Sequence, residues 1–159
     1  MSEIIAKEID FHTLHAIMDL KTRPDQQHLV APNSVTVAQF HYEPSGWLRG
    51  LWAGETPVGL IAMINPQIES PSFEEGDSTD AAYLWRLMID QGQQGKGYGH
   101  QAMHIAFAQA RAWSFAKFQT SCVPGENCPI PFYEACGLQK TGQIVGGEIE
   151  LMGPVPAEL

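Results

Sequence analysis

The segment Gln94-Gly95-Lys96-Gly97-Tyr98-Gly99 places three glycines and a lysine within six residues. That composition suits the holding of a phosphate. Glycines remove the Cβ atoms that would keep a diphosphate away from the backbone. Where such a segment opens a helix, the first N–H groups have no partner inside the helix, and the helix dipole favours an anion beside them. Lys96 adds a positive charge. Two common phosphate loops are excluded. A P-loop needs Ser or Thr after Gly-Lys, and here Gly97 follows Lys96. The all-glycine dinucleotide fingerprint, G-x-G-x-x-G, is not met by glycines at 92, 95, 97 and 99.

Other side chains carry chemistry of weaker pattern. Arg86 lies within the apolar run 81–89, where a lone charge is costly and calls for a carboxylate. Glu148 or Glu150 is the expected partner. His100 and His104 stand four apart, as a metal pair on a helix can, but no carboxylate pattern adjoins them and no metal is expected. Cys122, Cys128 and Cys136 match no zinc spacing. They read as free thiols in a reducing cytoplasm, and Cys136 has no evident His partner. Residues 65–80 hold Glu69, Glu74, Glu75, Asp77 and Asp80; the last four read either as solvated acids or as proton acceptors.

These groups need elements to position them. Alternation and turn residues predict strands over 2–9, 47–53, 57–64, 81–89, 118–122, 138–145 and 148–152. Gly54-Glu55 and Gly146-Gly147 mark two hairpins. Asp10 can cap a helix over 11–20, and Asn33 one over 34–42 that stops before Pro44. The glycine turn leads into a helix of about four turns, whose apolar stripe is Ala102, Met103, Ala106, Phe107, Ala110 and Trp113. A short helix over 129–136 ends at Gly137. In the run 81–89, strict alternation puts Tyr83, Trp85, Leu87 and Ile89 on one face, and Ala82, Leu84, Arg86 and Met88 on the other. Both faces are largely apolar, so this strand is central. The order β-α-α-β-β-β-α-β-α-β-β predicts an α/β chain with a mixed sheet of about seven strands, and about four helices divided between its faces.

The 159 residues suit one domain, 1–159. The formal net charge of -9 disfavours nucleic acid as a partner. It fits a cationic substrate, or serves solubility alone. No run is apolar and long enough to cross a bilayer, and the first ten residues lack the pattern of an export signal.

Gln94, Gly97 and Gly99 fit Q/R-x-x-G-x-G/A, and Asn127 is followed by Tyr133-x-x-x-Gly137-Leu138. With the apolar strand before and the long helix after, these resemble the two signatures of the GNAT superfamily of N-acetyltransferases. The resemblance spans the chain and is most specific over 83–138. It implies a sheet splayed at the central strand, acetyl-CoA as co-substrate, and a primary amine as acceptor. Leu87, Met88 and Ile89 would offer backbone groups to the pantetheine arm. The N–H groups of Gln94, Gly95, Lys96, Gly97, Tyr98, Gly99 and His100 would meet the pyrophosphate. Asn127 resembles the residue that touches the cofactor arm; it could equally cap the next helix. Tyr133 resembles the general acid that protonates the departing thiolate, or else packs its helix.

The base is open. An alkylammonium with a pKa of about 10.4 must lose a proton before it attacks, at a cost of about 4.6 kcal/mol at neutral pH. The family often carries a Glu on the central strand; this strand has none, and Tyr83 lies near that place as base or water relay. Departures from the family pattern are Leu138 where Phe is commoner, and Pro129 and Pro131 at the helix start.

The segments Leu29-Val30-Ala31-Pro32-Asn33-Ser34 and Tyr83-Leu84-Trp85-Arg86-Leu87-Met88-Ile89-Asp90, with the Trp47 strand and Gly54-Glu55, are similar to bacterial spermine/spermidine acetyltransferases. That branch implies a polyamine acceptor, with Trp85, Glu74 and Glu75 among its contacts and cation–π contact from Trp47, Trp52, Tyr83 and Trp85; each aromatic could instead be core. Other amines, or a non-catalytic CoA-binding module, are the alternatives. Relatives are often dimers, which leaves a homodimer open.

Overall fold

The computed structural model describes residues 2–158. Seven strands form one mixed sheet in the order β1-β2-β3-β4-β5-β7-β6. The strands are β1 (Ile4–Lys7), β2 (Gly46–Ala53), β3 (Thr56–Ile64), β4 (Ala81–Ile89), β5 (Lys117–Cys122), β6 (Gln139–Val145) and β7 (Glu148–Pro154). All neighbours are antiparallel except β4 and β5, which run parallel. The helices are α1 (Leu14–Met18), α2 (Asn33–His41), α3 (Tyr98–Ala112) and α4 (Ile130–Ala135), with 3-10 turns at Pro24–Gln26 and Gln91–Gln93. Among the described residues no helix is long and apolar enough to cross a membrane.

The helices divide between the two faces of the sheet. On one, α3 lays Ala102, Met103, Ala106, Phe107 and Ala110 against Leu51, Val58, Ile61, Leu84 and Phe118, and Tyr133 of α4 joins the same cluster. On the other, Ile17 of α1 and Phe40 of α2 pack on Trp52, Leu60, Ala62, Ile64 and Met88. The stripe expected on α3 is therefore buried as a core face from Ala102 to Ala110, while Trp113 caps the helix end and is partly buried. Two N-terminal boundaries differ from expectation. The Asp10 carboxylate accepts the amides of His12 and Thr13, but only turns follow until Leu14, so α1 is five residues long. Pro32, rather than Asn33, occupies the cap of α2, and Asn33 is buried with its Nδ2 donating to the Ile17 carbonyl at 2.8 Å.

Two irregularities shape β4. Ala62 pairs with Arg86 and Met63 with Leu84, so Trp85 is an extra residue in a β-bulge. The bulge breaks the strict alternation expected above. Tyr83, Trp85 and Met88 pack with the α1/α2 cluster, while Leu84, Leu87 and Ile89 pack with the α3 cluster. The second irregularity is a fork. β4 pairs with β5 only from Ala81 to Leu84, and the strands part beyond Leu84 and Thr120. Gly59 is needed opposite the freed part of β4, because a Cβ there would collide with the Met88 carbonyl.

Candidate functional site

The fork opens a cleft of about 650 Å³. One wall is the part of β4 that β5 abandons, with Trp85, Arg86, Leu87, Met88 and Ile89 along it. Backbone groups on that edge have no strand partner, which is the condition for pairing with an extended ligand. At about 3.3 Å per residue, the stretch from Trp85 to Ile89 is about 13 Å long.

The glycine turn closes the end of this wall. Gly95 and Gly97 take left-handed φ values of 77° and 82°, and Gly97 is the N-terminal cap of α3, with no side-chain cap on the helix's first amides. Ala at Gly97 would meet the cost of a left-handed residue. Gly99 lets the Phe132 ring approach, since a Cβ there would stand 3.3 Å from it. Gln93, Gln94, Gly95, Gly97, Tyr98, Gly99 and His100 line the cleft.

The side chains of three members of the turn are directed away from the glycine cradle or into other contacts. Lys96 is outside the lining and donates to Gln93 Oε1 at 2.9 Å. The Tyr98 side chain belongs to the core, leaving its backbone for the cleft. The Gln94 amide nitrogen donates to the Ile89 carbonyl (3.0 Å) and to Gln26 Oε1 (2.8 Å), so that side chain ties the turn to the strand and to the 22–32 segment.

The opposite wall comes from β5, α4 and the loop between them. Asn127 lines the cleft with a φ of 60° and caps no helix, Pro129 being the cap of α4. Its Nδ2 reaches Asp25 at 3.3 Å. With the contact between Gln94 and Gln26, this links the 22–32 segment to both walls of the cleft. Tyr133 is 7% exposed, and burial pushes its phenol well above the ordinary tyrosine range. It therefore stays protonated at neutral pH, as a proton donor must. Cys122 and Cys128 place their sulfurs 3.2 Å apart as free thiols, and burial pushes the Cys122 thiol up to about 12. Cys136 does have a His near it: its sulfur is 3.8 Å from His100 Nδ1, but burial raises this thiol also. Among the described residues no three His, Cys, Asp or Glu side chains gather as a metal site.

The far end of the cleft departs most from expectation. Arg86 forms no ion pair with Glu148 or Glu150. It donates to Thr36 Oγ1 (2.9 Å) and Gln39 Oε1 (2.6 Å) and lies 5.3 Å over the Trp85 ring. The bulge is the reason, since it turns Arg86 toward α2 beside Trp85. Glu74 and Glu75 are not brought to the cleft: both are exposed, and the Glu74 amide donates to Asp77 Oδ2. Asp80 pairs with Lys117 at 2.9 Å. Trp47 and Trp52 are held elsewhere, beneath Arg49 and Lys7. Tyr83 lies behind the lining and meets Ser121 Oγ at 3.1 Å, and Ser121 donates to Glu148 Oε2 at 2.8 Å. Sequence reasoning did not identify Ser121, and treated Glu148 only as a partner for Arg86. The one available signal was the alternation that puts Glu148 and Glu150 on the same side of a strand.

Residues 12–138 match the sequence model of the acetyltransferase (GNAT) family. The chain belongs to the GNAT family. No curated protein matches it in sequence. Solved structures share the GNAT fold. An acetyltransferase from Thermus thermophilus has a TM-score of 0.73 at 17% identity, covering 97% of this chain and 99% of that one. The aminoglycoside acetyltransferase AAC(6')-Ib, in complex with paromomycin and acetyl-CoA, reaches 0.72 at 14% identity and 96% and 93% coverage. The PaiA N-acetyltransferase of Thermoplasma acidophilum, in complex with coenzyme A, reaches 0.66 at 12% identity and 96% and 99% coverage. The fork in this GNAT chain is the splay expected at the central strand.

Proposed function

We propose that this chain, acting over 1–159 as one transferase domain, moves the acetyl group of acetyl-CoA to a primary amine by direct attack in a ternary complex. The observation that carries the reading is the unpaired edge of β4 beyond Leu84, ending in a glycine turn whose helix amides are uncapped. The residues present fit the cofactor: the edge of Leu87, Met88 and Ile89 can pair with an amide-bearing arm, and the amides of residues 94–100 can cradle a diphosphate. Asn127 flanks the arm from the other wall. When bound, acetyl-CoA supplies an activated acetyl thioester.

This chain's residues do the rest. Tyr133, kept neutral by burial, holds a proton for the departing sulfur. The acceptor enters past Trp85, Arg86, Ser121 and Glu148. Spermidine and spermine are the acceptors that the sequence resemblance favours. Against them, the one tryptophan on the cleft wall already carries a cation, Arg86. An amino acid, a peptide N-terminus or an antibiotic amine is the alternative, and AAC(6')-Ib, a neighbour in fold, is an aminoglycoside acetyltransferase. The same reading makes the protein cytoplasmic, with no nucleic-acid or membrane partner, and takes a homodimer as its assembly.

The test is a panel of primary amines with acetyl-CoA, read by release of the CoA thiol and by a mass gain of one acetyl on the acceptor. Turnover on spermidine supports the polyamine reading; turnover only on amino sugars or amino acids moves the assignment to those. A protein that binds CoA yet acetylates nothing is a CoA-binding module.

A further inference from the structure

The transferase reading leaves one step without a residue, the removal of a proton from an ammonium acceptor. We propose that Glu148 receives that proton, oriented by Ser121 and Tyr83, and that the acceptor therefore arrives as a cation beside the start of β7. The inference rests on the transferase reading above.

Four observations carry it. First, Glu148 is the first residue of β7 and lines the cleft. Second, the direction of its hydrogen-bond chain is fixed. Ser121 has one hydroxyl hydrogen and donates it to Glu148 Oε2, so Tyr83 must be the donor to Ser121 Oγ. Both hydroxyls thus point toward the carboxylate. Third, no described cation pairs with Glu148, since Arg86 directs its Nη1 hydrogens to Thr36 and Gln39. A partly buried carboxylate on a cleft wall with no salt-bridge partner is a place for an ammonium.

Fourth, the contact between Tyr83 and Ser121 sits at the crotch of the fork, one residue short of and one beyond the last β4–β5 pair, Leu84 with Thr120. Tyr83 packs with the α1/α2 cluster, whereas Tyr133 packs with Cys122 and Phe118 on the α3 side. The proton acceptor and the proton donor therefore flank the gap from opposite faces. The titratable groups that sense Glu148 are Tyr83 and Arg86 from β4 and Cys122 from β5. Burial keeps both Tyr83 and Cys122 protonated.

The step balances. An alkylammonium gives one proton to the Glu148 carboxylate. The free amine nitrogen forms its bond to the acetyl carbon, the carbon–sulfur bond breaks, and the sulfur takes the Tyr133 proton. The second nitrogen proton goes to solvent, which refills Tyr133 and empties Glu148, for a net release of one proton.

The experiment measures kcat from about pH 6 to about pH 10, which spans the approach to the ammonium pKa. The acceptors are spermidine, lysine and ribostamycin, and the proteins are the wild type, Glu148→Gln, Glu148→Asp and Ser121→Ala. CoA affinity is measured by calorimetry for each. Glu148→Gln should lower kcat at neutral pH by about 100-fold, with Glu148→Asp recovering part of it and Ser121→Ala losing about tenfold. CoA affinity should hold within about twofold, and the Glu148→Gln deficit should shrink toward high pH, where the amine sheds its own proton. A deficit equal at every pH, or none, overturns the role of Glu148 while leaving the transferase reading intact. A wild type that binds CoA but acetylates none of the three overturns the cationic acceptor, and one that binds no CoA overturns the transferase reading with it.

Discussion

The two ends of the cleft are built differently. The cofactor end is local in the chain: β4, the turn and α3 are consecutive, and their contribution is mostly backbone, an unpaired edge and uncapped amides. The acceptor end is assembled from side chains far apart in sequence: Thr36 with Arg86, Tyr83 with Ser121, Ser121 with Glu148. A backbone site tolerates side-chain change and recognises one constant ligand. A side-chain site is rebuilt by single substitutions, and so can be retuned from one amine to another.

Substitutions should separate the ends. The largest effect is expected between them, at Tyr133. Tyr133→Phe should lower kcat by about 100-fold or more with CoA affinity nearly unchanged, read by thiol release and calorimetry. At the cofactor end, Gly97→Ala should weaken CoA binding by about tenfold, because the turn relaxes out of a left-handed conformation that costs Ala about 1–2 kcal/mol to regain on binding, while the acceptor KM stays put. At the acceptor end, Arg86→Met should do the reverse, shifting the acceptor KM several-fold with CoA affinity intact. It should also destabilise the fold by about 1 kcal/mol, because Thr36 and Gln39 lose a charged donor. The smallest effect is expected at Asn127→Ala, whose contacts with Asp25 are long and exposed; a change in CoA affinity below about threefold is the expected result.

A pH effect sharpens the contrast outside the cleft. Partial burial opposes ionisation of Glu43, but hydrogen bonds from Ser70, Ser72 and Ser45 outweigh it and hold the carboxyl below the usual range. This pins the 65–80 loop to the end of α2. A depressed carboxyl stabilises the fold above its unfolded pKa, and the gain is lost as pH falls through the folded value. Proteolysis within 65–80 should therefore rise below about pH 4.5, and Glu43→Gln should show that rise already at neutral pH.

The strand, turn and helix at the glycine-turn end were legible in the sequence because they are local in the chain. Gln94, Gly97 and Gly99 are spaced by a backbone requirement, and the apolar strand and striped helix on either side announce themselves by period. The full element order followed from the same local signals. The acceptor end was not legible. Arg86 was matched to Glu148 and Glu150 because alternation cannot reveal a bulge at Trp85 that reverses which face follows. Glu74 and Glu75 drew attention as charge, yet their loop is tied back at Glu43 and Asp77. Ser121 and Glu148 become a pair only when β5 and β7 lie side by side, which no window of sequence displays.

The most direct measurement is calorimetric titration of the wild-type chain with CoA and, separately, with pantetheine. If the glycine turn and the opened edge of β4 form the cofactor site, CoA should bind one to one in the micromolar range, and pantetheine, which lacks the diphosphate, at least tenfold more weakly. No saturable heat with millimolar CoA, or equal affinity for the two, would contradict the account.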